Sequence, residues 1–182
     1  MKKKILYFLI FCFKSTYAQN NDEFVVQYED RFEVIEGNYF GKLSFDTLRN
    51  NDGSYEIGNL AISKKGDTSN IKVGLWKEFD KNNDLKAFGE YKIGTYISCC
   101  FSGPCRSFYN YKFGKWIYYH TKGQLKAIGT YSIIISSIET SCQGGDKGKA
   151  HTINDEWQYW DEKSKPIKIY KELKEELEKI DF

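Results

Sequence analysis

Proline is nearly missing from this chain, two residues in 182, while 17% of the residues are aromatic. That mix speaks against disorder and favours β-structure, whose pleated surface suits aromatic side chains. No apolar run reaches the roughly 20 residues that a bilayer-spanning helix needs; the run from Ile5 to Phe13 is about half that. The cysteines show no paired Cys-x-x-Cys spacing, which speaks against a structural zinc site. Neither they nor His120 and His151 sit in a recognisable nucleophile signature. Gly144-Gly145-Asp146-Lys147-Gly148-Lys149 invites a phosphate-loop reading but lacks the required spacing, so it reads as a solvent-exposed loop.

The first residues have a job of their own. Lys2, Lys3 and Lys4 form a positive n-region, Ile5 to Phe13 the apolar stretch, and Ser15-Thr16-Tyr17-Ala18 the short residues before Gln19. That order is a secretory signal peptide over 1–18, cut after Ala18, and it implies a secreted or periplasmic protein. A membrane anchor is the alternative use of the run. A lipoprotein signal ending at Cys12 is another, although Phe11 is bulky for the residue before such a site. The chain has 27 basic and 25 acidic residues, and the signal holds four of the lysines and no acid. The mature part is therefore 23 against 25, a net of −2, and nucleic acid is not an implied partner.

Internal repetition is the strongest signal. Gly74-Leu75-Trp76-Lys77-Glu78-Phe79 and Leu85-Lys86-Ala87-Phe88-Gly89-Glu90-Tyr91 return 40 residues later as Gly114-Lys115-Trp116-Ile117-Tyr118-Tyr119 and Leu125-Lys126-Ala127-Ile128-Gly129-Thr130-Tyr131. A third copy keeps Trp157 and Trp160 but has Asp155 at the first Gly position and Pro166 in its second strand. A degenerate earlier copy runs from Gly41-Lys42-Leu43 through Asp52-Gly53 to Gly58-Asn59-Leu60. Each unit reads as a β-hairpin, because its second strand alternates Ala87, Gly89 and Tyr91 with Lys86, Phe88 and Glu90. Asn83 and Gly123 stand where a turn with a G1 bulge demands positive φ. Gly89 and Gly129 leave space above the sheet for a neighbouring unit's Trp. Trp76, Trp116 and Trp157, with Phe79, Tyr119 and Trp160, are then packing residues; an exposed aromatic ladder gripping a ligand is the sharper alternative.

With Cys12 in the signal, Cys99, Cys100, Cys105 and Cys142 remain, an even set that suits two disulfides in an exported chain. A Cys99–Cys100 bond would be strained, so each is expected to pair with Cys105 or Cys142. The two cysteine clusters lie in corresponding insertions, and a bridge between them would staple two long loops, worth roughly 2–4 kcal/mol. Zinc held by these cysteines or His151, and a Cys nucleophile with His120 or His151, are the alternatives. His120 itself reads as a solvated turn residue.

The repeated Gly-x-Trp-x-x-aromatic…Leu-x-x-x-Gly-x-Tyr units resemble the MORN (membrane occupation and recognition nexus) repeat in its bacterial variant. Gly74, Trp76, Phe79, Leu85, Gly89 and Tyr91 match the motif, as do Gly114, Trp116, Tyr119, Gly123, Leu125, Gly129 and Tyr131. The resemblance covers roughly 72–170 and implies an elongated antiparallel sheet of consecutive hairpins. It implies a module for protein contact and, in some eukaryotic cases, for lipid head-groups. Bacterial relatives are often labelled antitoxin components, which must work in the cytoplasm; an export signal points elsewhere.

The reading is therefore an all-β protein. Residues 19–70 form an N-terminal β region, 71–170 the MORN-like repeats (71–91, 111–131 and 154–170) with Cys-bearing insertions, and 171–182 a short amphipathic helix. That helix carries Leu173, Leu177 and Ile180 on one stripe and is expected to cover the last hairpin's edge. Phe24-Val25-Val26 and Arg31 to Ile35 read as strands capping the other end. The expected function is an exported, non-enzymatic module that binds a protein or an envelope component, with peripheral membrane contact a further option and no cofactor. An antitoxin-like cytoplasmic binder and an enzyme using the Cys/His loops are the alternatives.

Overall fold

The structure, a computed structural model, describes residues 31–101 and 103–180. The signal segment and the strand expected at Phe24 to Val26 lie outside the described residues. The expected all-β fold with a short C-terminal helix is what the chain adopts. A small hairpin of β1 (Val34–Ile35) and β2 (Asn38–Tyr39) precedes the main sheet. The main sheet contains β3 (Leu43–Arg49), β4 (Tyr55–Ile62), β5 (Thr68–Phe79), β6 (Leu85–Cys100), β7 (Gly103–Tyr119), β8 (Leu125–Ile138), β9 (Asp146–Thr152), β10 (Gln158–Trp160) and β11 (Pro166–Ile167). Helix α1 (Lys171–Glu178) follows. The nine strands are antiparallel in the order β3-β4-β5-β6-β7-β8-β10-β11, with β9 beside the far half of β8.

Four turns of one design close the hairpins of the units, and the Ser63–Asp67 turn between β4 and β5 repeats it with Gly66. Asn50, Asp80, His120 and Asp161 each donate their N–H to the carbonyl four residues on and accept the N–H of the residue three on. That third residue is Gly53, Asn83, Gly123 or Ser164, at φ 86°, 66°, 81° and 58°. The turn chemistry thus sets the register of all four hairpins by the same means.

The hairpins are locked to one another by tryptophan. Trp76 lies over Gly58, Trp116 over Gly89 and Trp157 over Gly129, each on the strand of the preceding unit, so closely that a Cβ there would overlap the ring. The indole N–H of each donates to the carbonyl of the residue after that glycine: Asn59 at 3.1 Å, Glu90 at 3.1 Å and Thr130 at 3.0 Å. All three rings are buried, so each removes roughly 150–250 Å² of surface from water. Their N–H groups keep a partner while doing so.

The second half of each motif packs differently from the expectation. Phe79, Tyr119 and Trp160 are half-buried and stand outside the aromatic core; Phe79 instead stacks on Tyr55 at 4.9 Å. The reason is strand parity: three residues after a Trp, a side chain points to the opposite face. The core positions are two residues on, where Tyr118 stacks on Trp116 and Tyr159 on Trp157.

The Cys-bearing insertions are strands rather than loops. β6 and β7 stay paired from Ala87–Tyr118 out to Cys100–Gly103. β5 pairs with β6 only as far as Gly74–Tyr91, and β7 with β8 only as far as Gly114–Tyr131. Beyond Gly74 and Gly114, at φ 68° and 64°, the sheet divides into two-stranded arms, the outer β6–β7 ribbon and the β8–β9 ribbon. Asp146 to Lys149, expected in a loop, belongs to β9 for the same reason.

Two elements cover the aromatic face. Helix α1 buries Leu173 and Leu177 among Trp116, Tyr131 and Trp157, and so lies on the sheet's face rather than along its edge. A single-layer sheet with an aromatic face leaves far more apolar area to hide there than along a short β11 edge. The N-terminal segment does the same: Phe32 packs with Ala61, Ile93 and Phe108, on a face and not on an end.

Replacing Gly89 with Ala forces a methyl into the Trp116 ring. We expect a loss of about 1–3 kcal/mol or more, measured by urea unfolding. The same change at the exposed Gly66, which has open space around it, should cost less, mainly through its positive φ.

Candidate functional site

The arms are tied at their tips. Cys99 pairs with Cys142, Cα atoms 4.9 Å apart, and Cys100 with Cys105, 5.8 Å apart. Ser141 reinforces the first bridge: its Oγ accepts the Cys99 N–H at 2.9 Å and donates to the Cys99 carbonyl at 2.7 Å. With all four cysteines paired, none of them offers a thiolate to a metal or a substrate. No group of three or more metal-binding side chains occurs among the described residues. His120 is half-buried, and its Nε2 lies 2.8 Å from the Trp160 carbonyl, so it joins the β7–β8 turn to the β10–β11 hairpin rather than standing in solvent.

The polar chemistry lies where the arms diverge. Side chains bridge each split. At the first, Asn110 accepts the Lys72 N–H at 2.8 Å and donates to the Lys72 carbonyl at 2.6 Å, standing in for the missing strand. At the second, His151 Nδ1 accepts the Lys112 N–H at 3.3 Å. Lys112 is the 40-residue equivalent of Lys72, and His151 does for it half of what Asn110 does for Lys72. Accepting at Nδ1 leaves the proton on Nε2. His151 is 3% exposed; its Nε2 makes no close hydrogen bond, and the backbone of Leu177 and Lys179 at the end of α1 favours its protonated form.

A cleft of about 350 Å³ opens between these junctions and the end of α1. Glu56, Lys72, Glu78, Tyr91 and Lys112 line it, with Ile71, Phe108 and Ile180 as apolar walls. Lys72 forms an ion pair with Glu56 and lies 4.7 Å from the Tyr91 ring centroid. Tyr91 donates its hydroxyl to Glu78 at 3.1 Å. The Lys112 ammonium donates to the Tyr118 hydroxyl at 2.8 Å, and Tyr118 and Tyr131 hydroxyls are 2.9 Å apart. Tyr131 donates to the Leu177 carbonyl at 2.7 Å, so Tyr118 must be the donor to Tyr131. An ordered chain of donors thus runs from the ammonium to the last turn of α1, where helix carbonyls lack partners.

Burial shapes the ionisation of this region. It pushes the Tyr91, Tyr118 and Tyr131 hydroxyls well above the ordinary phenol value, so they stay neutral donors. It lowers the Lys112 pKa, an effect that Glu78 opposes. Burial, and then Lys112, brings His151 down to about 4. Residue patterning had singled out the tryptophans, glycines and cysteines and had noted His151 only as a metal or base candidate. Lys72, Lys112, Asn110 and Glu78 went unnoticed, although the 40-residue offset relating Lys72 to Lys112 was a usable signal.

No family model matches this chain, and neither does any curated protein or solved structure.

His151 is neutral in the folded protein and has a pKa near 6.5 when unfolded. Between about pH 6.5 and about pH 4 the unfolded chain binds a proton that the folded one does not, so stability falls on acidification. The loss is on the order of 3 kcal/mol. His151→Asn, which supplies an acceptor and a donor as Asn110 does, should remove this part of the pH dependence in urea melts at pH 7 and pH 4.5; an unchanged slope would refute the assignment. Serine replacement of Cys99 and Cys142, whose loop spans 43 residues, should cost about 4 kcal/mol against about 2 for Cys100 and Cys105.

Proposed function

We propose that this is an exported, non-enzymatic β-repeat module, MORN-like in its hairpins, that presents the open face of its sheet to a protein or an envelope component. The observation that supports it most is the division of labour between the two faces. On one face the tryptophans, the tyrosines, α1 and the N-terminal segment form the core. On the other, Thr47, Ile57, Lys77, Phe88, Ile117, Ile128 and Gln158 fall in one register row across seven strands. Ile57, Phe88, Ile117 and Ile128 in that row are half-buried and belong to no core cluster. Leu75 and Phe45, on the same face by strand alternation, are 62% and 72% exposed.

A row of apolar side chains between charged neighbours is the composition of a contact surface. Two disulfides bracketing the arm tips fit an oxidising compartment. No helix among the described residues is long and apolar enough to cross a membrane. The pairing of all four cysteines also weighs against the Cys/His enzyme reading, which needs a free thiol.

The test is an intact mass of the native protein recovered from outside the cytoplasm, with and without reductant. The expected protein begins at Gln19, reacts with no thiol reagent before reduction, and gains two hydrogens per bridge on reduction. A chain beginning at Met1 with free thiols would overturn the reading in favour of a cytoplasmic binder.

A further inference from the structure

The two arm junctions repeat one another in backbone, yet they are furnished differently. At the first, the Lys72 ammonium is met by Glu56, two residues before Gly58. Two residues before Gly89 the chain has Ala87. Glu78 stands six residues after Lys72, whereas six after Lys112 stands Tyr118. Both acids around the first lysine are thus replaced by uncharged residues around the second. Among the described residues no carboxylate lies within ion-pair distance of Lys112; its ammonium donates to the Tyr118 hydroxyl and faces the Trp116 and Tyr118 rings, 4.8 and 5.1 Å from their centroids.

Glu78, Ala87 and Tyr118 are register neighbours across β5, β6 and β7. A cation held at Tyr118 and an anion at Glu78 therefore stand on either side of a small residue without touching. The acids lining the cleft, Glu56, Glu78 and Glu176, equal in number its lysines, Lys72, Lys112 and Lys179. A simple anion would gain Lys112 and be repelled by Glu78; a simple cation would meet the reverse. A molecule carrying both charges satisfies both groups. His151 adds a buried imidazole to the lining, beside the Lys112 backbone. Ile71, Phe108 and Ile180 add an apolar wall, and a few placed polar groups among apolar walls are the usual make-up of a small-molecule site.

We propose that this cleft binds a small zwitterion of the amino-acid class, its carboxylate on the Lys112 ammonium, its ammonium on Glu78 and its side chain against Ile71, Phe108 and Ile180. The ligand supplies at the second junction the carboxylate that Glu56 supplies at the first.

Titration of the disulfide-intact mature protein with L-leucine, followed by tryptophan fluorescence and by the His151 ring resonances, tests this. Saturable binding is expected, with acetate and methylammonium, each carrying one of the two charges, at least tenfold weaker. Lys112→Met removes the cation at similar volume, and Glu78→Gln keeps an acceptor for Tyr91. Each should weaken L-leucine at least tenfold while leaving the near-UV circular dichroism unchanged. Absence of a saturable response up to about 10 mM, weaker than the millimolar binding two charge-assisted contacts should sustain, would overturn the proposal. So would acetate binding as tightly as leucine, which describes an anion site, or unaltered affinity in both folded variants.

Discussion

The contact on which the rest of this molecule depends is an indole ring laid on a glycine of the preceding hairpin. It joins two requirements that usually compete. The ring must be close to the backbone to exclude water, which only a residue without Cβ permits. Its N–H must also find an acceptor once buried, and the carbonyl of the residue after the glycine is directly in reach. One geometric relation therefore supplies burial, hydrogen bonding and spacing between units together. A β-hairpin alone is marginal in water; three such contacts convert four hairpins into one sheet.

Because the contact runs between units, the ends of the array need only half of it. The β3–β4 hairpin has Gly58 but no Trp, and among the described residues β3 is the edge of the sheet, with no strand before it to cover; Asp46 pairs opposite Gly58 instead. The last hairpin has Trp157 but Pro166-Ile167 in β11, where no following ring requires a glycine. What looks like decay at both ends is the boundary condition of a directional repeat. It also explains why the first hairpin was hard to recognise by its tryptophan yet has the same turn as the others.

This bears on how much of the molecule could be read from its residues. The hairpins, their turns at Asn83 and Gly123, and the amphipathic character of Lys171 to Glu178 were legible because each depends on local periodicity. The destination of α1 was not, since the choice between edge and face is decided by how much aromatic surface the assembled sheet exposes. Phe79, Tyr119 and Trp160 pack outside the aromatic core, because strand parity and not the motif's spacing decides which face a side chain takes. The long ribbons were hidden by their cysteines and glycines, although Tyr109-Asn110-Tyr111-Lys112 alternates as a strand does. Asn110 and His151 carried no sequence signal; their roles exist only where two arms part and a backbone group loses its neighbour.

That parting also accounts for the polar cleft. A sheet that stayed continuous would satisfy the Lys72 and Lys112 backbones with strand partners and would have no room for side chains between arms. Once the arms diverge at Gly74 and Gly114, each freed N–H and carbonyl must be met by a side chain. Asn110 meets both of those on Lys72, whereas His151 meets only the N–H on Lys112. The first junction is closed electrostatically as well, by Glu56 on Lys72. At the second, the ammonium is tied through Tyr118 and Tyr131 to the end of α1, so these hydroxyls hold the helix together with the Lys126–Glu176 ion pair. A buried cation that its neighbouring acids, Glu78 first, act on only from a distance is costly to maintain unless its surroundings compensate, and two aromatic faces do so only in part. The same covering helix that completes the hydrophobic core therefore encloses the one junction of the repeat whose charge is left open to a ligand.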